Sequence, residues 1–140
     1  MKIGYFADGP WSHKAFELII ADPSIEIAFI VLRRNSTDLV LKNYATEYGI
    51  DLLESVLVNS AEFYGQAKKY QCDLFVSMSY NQIFKPPIIH IPAMGTINCH
   101  AGKLPFYRGR NILNWALIND EQEFGITVHY IDGTIDTGDI

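Results

Sequence analysis

The sequence predicts an α/β fold, with a mostly parallel sheet flanked by helices. Three observations carry this. Short strand-like apolar runs alternate with longer segments of helical spacing, the order that βαβ units require. The run Ile25–Leu32, broken only at Glu26, is apolar as a parallel strand covered on both faces must be. At 140 residues, nearly half of them apolar, the chain fits one domain able to bury a sizeable core.

In order along the chain, Lys2–Ala7 is a strand closed by the turn Asp8-Gly9-Pro10. Ser12 is the expected cap of a helix reaching Ala21, with Ala15, Phe16, Leu18, Ile19 and Ile20 on its apolar face. Ile25–Leu32 is the second strand. Ser36 or Thr37 opens a helix carrying Leu39, Val40 and Tyr44, and Gly49 ends it. Ser55–Val58 reads as a short strand, Ala61–Tyr70 as a helix opened by Ser60, and Asp73–Ser77 as a strand. Lys85–Ile91 is a short helix or turn, Met94–Cys99 a strand and Asn111–Ile118 a helix. Phe124–Ile131 is a last strand, for which an antiparallel place at the far side of the sheet is open. Sites in such sheets lie beyond the carboxyl ends of the strands. That places Asp8–His13, Met78–Phe84, Asn98–Gly102 and Asp132–Gly138 together. The chain reads as residues 1–140 of a catalytic core that lacks further C-terminal structure.

Composition narrows the classes. A net charge of −5 argues against nucleic-acid and anionic-membrane partners, which need a basic face. The local cations Lys103, Arg108 and Arg110 can still grip a phosphate. Two cysteines without CxxC spacing, Cys72 and Cys99, argue against a disulfide framework and for a reducing cytoplasm. Neither a signal peptide nor a membrane-spanning run is expected.

The chemistry gathers in Ile97-Asn98-Cys99-His100-Ala101-Gly102-Lys103-Leu104-Pro105. Asn98 and His100 are two apart on a strand and so share one face. Imidazole titrates near neutrality and suits acid–base work. An asparagine amide can donate to a developing oxyanion. Asp136, in the polar knot Asp132–Gly138, can orient the imidazole and stabilise its charged form. Asn98 and Asp136 also have an ordinary reading as turn formers. Other chemistries fit less well. No set of close ligands completes a zinc site around Cys99, which reads as a small buried residue. The chain has no GxSxG, and its first turn has no GxGxxG. Trp11 in that turn can stack on a base or sugar, or simply cover the core edge.

Asn98-x-His100, Lys103-Leu104-Pro105-x-Tyr107-Arg108-Gly109 and Asp136-Thr137-Gly138 together resemble the signature of the formyltetrahydrofolate-dependent formyltransferases. His100 and Asp136 lie thirty-six positions apart, in keeping with that family's layout. The resemblance implies a Rossmann-like formyltransferase core and a substrate amine that attacks the formyl carbon of 10-formyltetrahydrofolate, with no metal. It implies that Asn98 and His100 stabilise the oxyanion, that His100 relays the amine proton, and that Asp136 holds His100. Ser77–Phe84 resembles the folate-pocket segment, with Ser77, Met78, Tyr80, Gln82 and Ile83 as binding residues. Ile131, Gly133, Thr134 and Asp136 would close the other side of the pterin.

Within the family, Gly102-Lys103 and Arg110-Asn111 are most similar to the sugar N-formyltransferases. This implies a dTDP- or UDP-linked amino-deoxy sugar as acceptor, of the kind used in bacterial surface polysaccharide. Trp11, His13, Lys85, Lys103 and Arg108 are then the candidates for binding it. The alternatives are a methionyl-tRNA formyltransferase, a non-catalytic folate- or nucleotide-binding module, and a hydrolase that removes formyl groups from folate. A homodimer is expected of the full-length protein.

Overall fold

The structure is a computed structural model and describes residues 1–54 and 56–140. Its strands are β1 (Lys2–Ala7), β2 (Glu26–Leu32), β3 (Asp51–Leu53), β4 (Leu74–Met78), β5 (Thr96–His100) and β6 (Thr127–Tyr130). The helices are α1 (Pro10–Ile20), α2 (Leu39–Tyr48), α3 (Ala61–Lys69), α4 (Pro86–Ile89) and α5 (Ile112–Ile118). The strands form one sheet in the order β3-β2-β1-β4-β5-β6. Each pairing through β5 is parallel, and β6 runs antiparallel to β5 at the edge. The expected α/β architecture is therefore the one observed.

Alternation along β1 explains the layers. Ile3, Tyr5 and Ala7 enter a core with Phe16 of α1 and Leu41 and Ala45 of α2. Phe6 points the other way, into a core with Phe63 and Ala67 of α3 and Ile88 and Ile89 of α4. There Phe6 meets Phe29, Phe75, Tyr80 and Phe84 edge-on or tilted, at ring separations of 5.7, 5.2, 5.5 and 4.9 Å. Gly4 makes this packing possible, because a Cβ there would lie 2.4 Å from Phe29 Cζ and 2.8 Å from Phe75 Cδ1. No helix of the described residues is long and apolar enough to cross a membrane.

Several boundaries differ from the sequence reading. Helix α1 starts at Pro10, with Gly9 as its cap residue at φ 81°. Ser12 lies inside the helix and donates its hydroxyl to the Gly9 carbonyl. Helix α2 is capped by Asp38 and not by Ser36 or Thr37, because Asp38 Oδ1 accepts from both Val40 N and Leu41 N. The third strand is Asp51–Leu53 and not Ser55–Val58: of that predicted stretch, Ser55 lies outside the described residues and the rest is irregular. Strand β4 runs one residue further, to Met78, while β5 begins at Thr96 and β6 covers only Thr127–Tyr130.

Asp38 also ties the two helices on one face together. Its Oδ2 accepts from Gly9 N at 2.8 Å and pairs with His13 Nε2 at 2.7 Å. Burial pushes the Asp38 carboxyl up, but the His13 ring and the amides of Gly9 and Leu41 outweigh it and hold the group below the usual carboxylate range. Its native value is lowered, so its contribution to stability is complete above the unfolded carboxyl's titration. That contribution disappears as pH falls through the lowered native value. Unfolding by denaturant across acid pH is expected to show this loss in the wild type, and a flatter acid limb in Asp38→Asn.

Candidate functional site

Parallel strands β1, β4 and β5 end on the same side of the sheet, and a cavity of about 360 Å³ opens there. Its walls include Trp11 from the start of α1, Ser77 from β4, the 79–84 loop, Asn98–Ala101, His129 of β6, Ile131 and Thr134–Asp136. The 79–84 wall is held from behind. Arg33 Nε donates to the Ser79 carbonyl, and Asn59 Nδ2 donates to the Ile83 carbonyl. Gln82 accepts from Val58 N and donates to the Val56 carbonyl and the Tyr80 hydroxyl. The polar atoms of Gln82 are thus spent on the protein, and Ile83 stands exposed as an apolar wall. Burial pushes the Tyr80 hydroxyl well above its ordinary titration range, so it stays neutral.

The catalytic candidates converge. Asn98 and His100 lie on one face of β5, as the alternation predicts. The 132–139 loop returns beside β6, where Tyr130 N donates to the Asp139 carbonyl at 2.8 Å. This brings Asp136 Oδ2 to 3.5 Å from His100 Nδ1. The same oxygen accepts from Gly109 N at 2.8 Å. His100 is 7% exposed, and its Nε2 lies 2.6 Å from the Tyr107 carbonyl. A carbonyl only accepts, so Nε2 carries a proton and Nδ1 faces the carboxylate.

The remaining expected residues divide. Ser77, Tyr80, Gln82, Ile83, Ile131, Thr134 and Trp11 line the cavity, whereas Met78 and Gly133 do not. Met78 instead packs in the core on the Tyr5 side. His13 is engaged with Asp38, and Lys103 Nζ sits 3.6 Å from Glu123. Lys85 and Arg108 lie outside the lining, and Arg110 lines the cavity in their place. Gly109 at φ 88° and Asn111 at φ 58° turn the chain around Arg110. Sequence reading missed His129. Its ring lies opposite Asn98 only through the antiparallel register of β5 and β6. A second, more open cavity of about 310 Å³ adjoins the first and shares His100, Ala101 and Gly109 with it. Among the described residues no group of three or more His, Cys, Asp or Glu could hold a metal ion.

Over residues 25–140 the sequence matches the family described as formyl transferase. The chain belongs to that family. It is 41% identical over 100 residues to a methionyl-tRNA formyltransferase of Geobacter metallireducens, covering 71% of this chain and 32% of that protein. A methionyl-tRNA formyltransferase of Pelotomaculum thermopropionicum is 36% identical over 107 residues, covering 76% and 34%. The chain thus spans about a third of the length of these curated relatives. Among solved structures, a phosphoribosylglycinamide formyltransferase from Bacillus halodurans superposes with a TM-score of 0.82 at 22% identity, covering all of this chain and 76% of that one. A formyltetrahydrofolate deformylase from Pseudomonas syringae gives 0.77 at 19% identity, covering 98% and 48%. These superpositions show the shared fold. These two curated relatives are named as methionyl-tRNA formyltransferases, where the sequence reading favoured the sugar N-formyltransferases.

Proposed function

We propose that this chain carries the catalytic core of an enzyme that transfers the formyl group of 10-formyltetrahydrofolate to an amine, and that the amine is the amino group of methionyl-tRNA. The observation that carries the chemistry is the meeting of Asn98, His100 and Asp136 at one mostly apolar cavity. A volume of about 360 Å³ with apolar walls and a few placed polar groups suits a flat heterocycle. The adjoining cavity, which shares His100 and Gly109, offers the acceptor amine its own approach to His100. The amine attacks the formyl carbon, the new C–N bond forms, the bond to N10 breaks, and the amine proton ends on N10. In the resting geometry the His100 Nε2 proton rests on the Tyr107 carbonyl. An oxyanion is the stronger acceptor and competes for it as the tetrahedral intermediate forms.

Similarity to the two methionyl-tRNA formyltransferases supports the acceptor. The acidic balance of the chain is a net figure, and a net figure does not exclude a local basic surface such as that carrying Lys103, Arg108 and Arg110. One observation favours a nucleotide-linked amino sugar as the second reading: Arg110 lines the cavity, where it can pair with a phosphate. The two readings separate when purified protein and 10-formyltetrahydrofolate are offered methionyl-tRNA in one arm and dTDP- and UDP-amino sugars in another. Formyl-methionyl-tRNA is the expected product. Formylated sugar alone would overturn the acceptor, and release of free formate with no formylated amine would overturn the transfer.

A further inference from the structure

His129 is 3% exposed, lines the main cavity and stands opposite Asn98 across the β5–β6 pair. Its Nδ1 lies 2.8 Å from the Tyr130 carbonyl, which can only accept, so Nδ1 carries a proton. Its Nε2 faces two groups: Asp136 Oδ1 at 3.4 Å and, with the Asn98 amide in its present orientation, Asn98 Nδ2 at 3.4 Å. A bare Nε2 would aim its lone pair at a carboxylate oxygen, whereas a protonated Nε2 donates to it. Protonated, the ring no longer accepts from an amide N–H. The Asn98 amide then offers its carbonyl oxygen to His129, since the two ends of an amide have nearly the same shape. That turn leaves the Asn98 N–H groups facing the cavity, where an oxyanion would form.

Resting on the formyl-transfer reading above, we propose that His129 is a positioning residue. Its Nε2 proton, held on Asp136, turns the Asn98 amide so that it donates into the cavity. Asp136 is then shared: Oδ1 faces His129 and Oδ2 faces His100. The other ring nitrogen of each histidine lies against a backbone carbonyl. The titratable groups around His129 are Asp136, His100 from β5 with its ring centre 6.3 Å away, and Asp132. The Asp132 carboxyl is held low first by Thr134 N, then by the Thr137 hydroxyl, and least by His129 itself.

The chain has only four histidines, so ¹⁵N-histidine spectra of the whole protein near neutral pH can be assigned ring by ring. Protons on both His129 nitrogens are expected, and a ring protonated at Nδ1 alone would overturn the proposal whatever the acceptor proves to be. Two variants add a kinetic readout. His129→Gln keeps a donor and is expected to hold kcat within roughly tenfold. His129→Leu removes it and is expected to lower kcat about 10²-fold, the usual effect of losing one oxyanion donor. KM for 10-formyltetrahydrofolate should move little in either. Equal losses in both variants, or a loss confined to KM, would show a merely structural histidine. If the wild type formylates no amine, the proposed function fails, while the spectra still decide the role of His129.

Discussion

Asp136→Asn is expected to lower kcat for formyl transfer by about 10²–10⁴-fold, the range that positioned acid–base groups supply, while leaving the fold intact. The substitution is close to ideal for isolating charge. Asp136 sits at φ 51°, a left-handed conformation that asparagine tolerates nearly as well as aspartate. The asparagine oxygen can still accept from Gly109 N, which anchors this loop at 2.8 Å. What disappears is the negative charge facing His100 at 3.5 Å and His129 at 3.4 Å. Without it the His100 ring loses the carboxylate that orients it and that would stabilise its charged form as the oxyanion develops. The check is kcat and KM for 10-formyltetrahydrofolate beside a thermal melt. Near-normal turnover in a folded variant would remove Asp136 from the catalytic group.

Particular residues show which features of the fold are legible in the sequence and which are not. Lys2–Ala7 was legible to the residue because its alternation is bounded by a Gly-Pro turn. Helix α3 was legible from Ser60, which caps it through Phe63 N. The third strand was misplaced for a physical reason. Gly49 ends α2 in the left-handed conformation, and β3 begins two residues later with an exposed aspartate at the sheet edge. A three-residue edge strand has almost no pattern of its own, and the buried Val58 imitated one. Ser36, Thr37 and Asp38 are all good caps, so local sequence does not single out the start of α2. Asp38 is selected by tertiary contacts to Gly9 and His13 that local sequence does not carry.

The site divides in the same way. Asn98 and His100 followed from a period of two on one strand, and that rule needs no partner. Asp136 is named by its chemistry in the polar knot Asp132–Gly138, and its placement depends on the loop closing back on Tyr130. His129 needed the β5–β6 register, which is a property of two strands together. Arg110 against Arg108 turned on backbone angles at Gly109 and Asn111, which neither residue type specifies alone. Individual side chains were thus readable where one element sets their direction, and unreadable where two must agree.

Gly102→Ala tests that agreement most sharply. A Cβ at Gly102 would lie 2.5 Å from His100 Nε2 and 2.5 Å from the Tyr107 carbonyl oxygen. The backbone cannot readily retreat, because the Gly102 carbonyl accepts from Thr127 Oγ1 at 2.7 Å and Thr127 also accepts from Leu104 N. The methyl must therefore displace the His100 ring and break its contact with Tyr107. Overpacking of this kind costs roughly 1–3 kcal/mol, which a thermal melt of a domain this size reads as a fall of several degrees. Loss of His100 from its place is expected to lower kcat at least about 10²-fold beyond what the melt explains. Gly65→Ala is the matched control. It lies mid-helix in α3 with nothing within 4 Å of the added methyl, and the same substitution there should raise stability by about 0.5–1 kcal/mol. If both variants behaved alike, the methyl at position 102 would not be felt by His100. The close fit between the His100 loop and the ring it carries would then have no part in the chemistry.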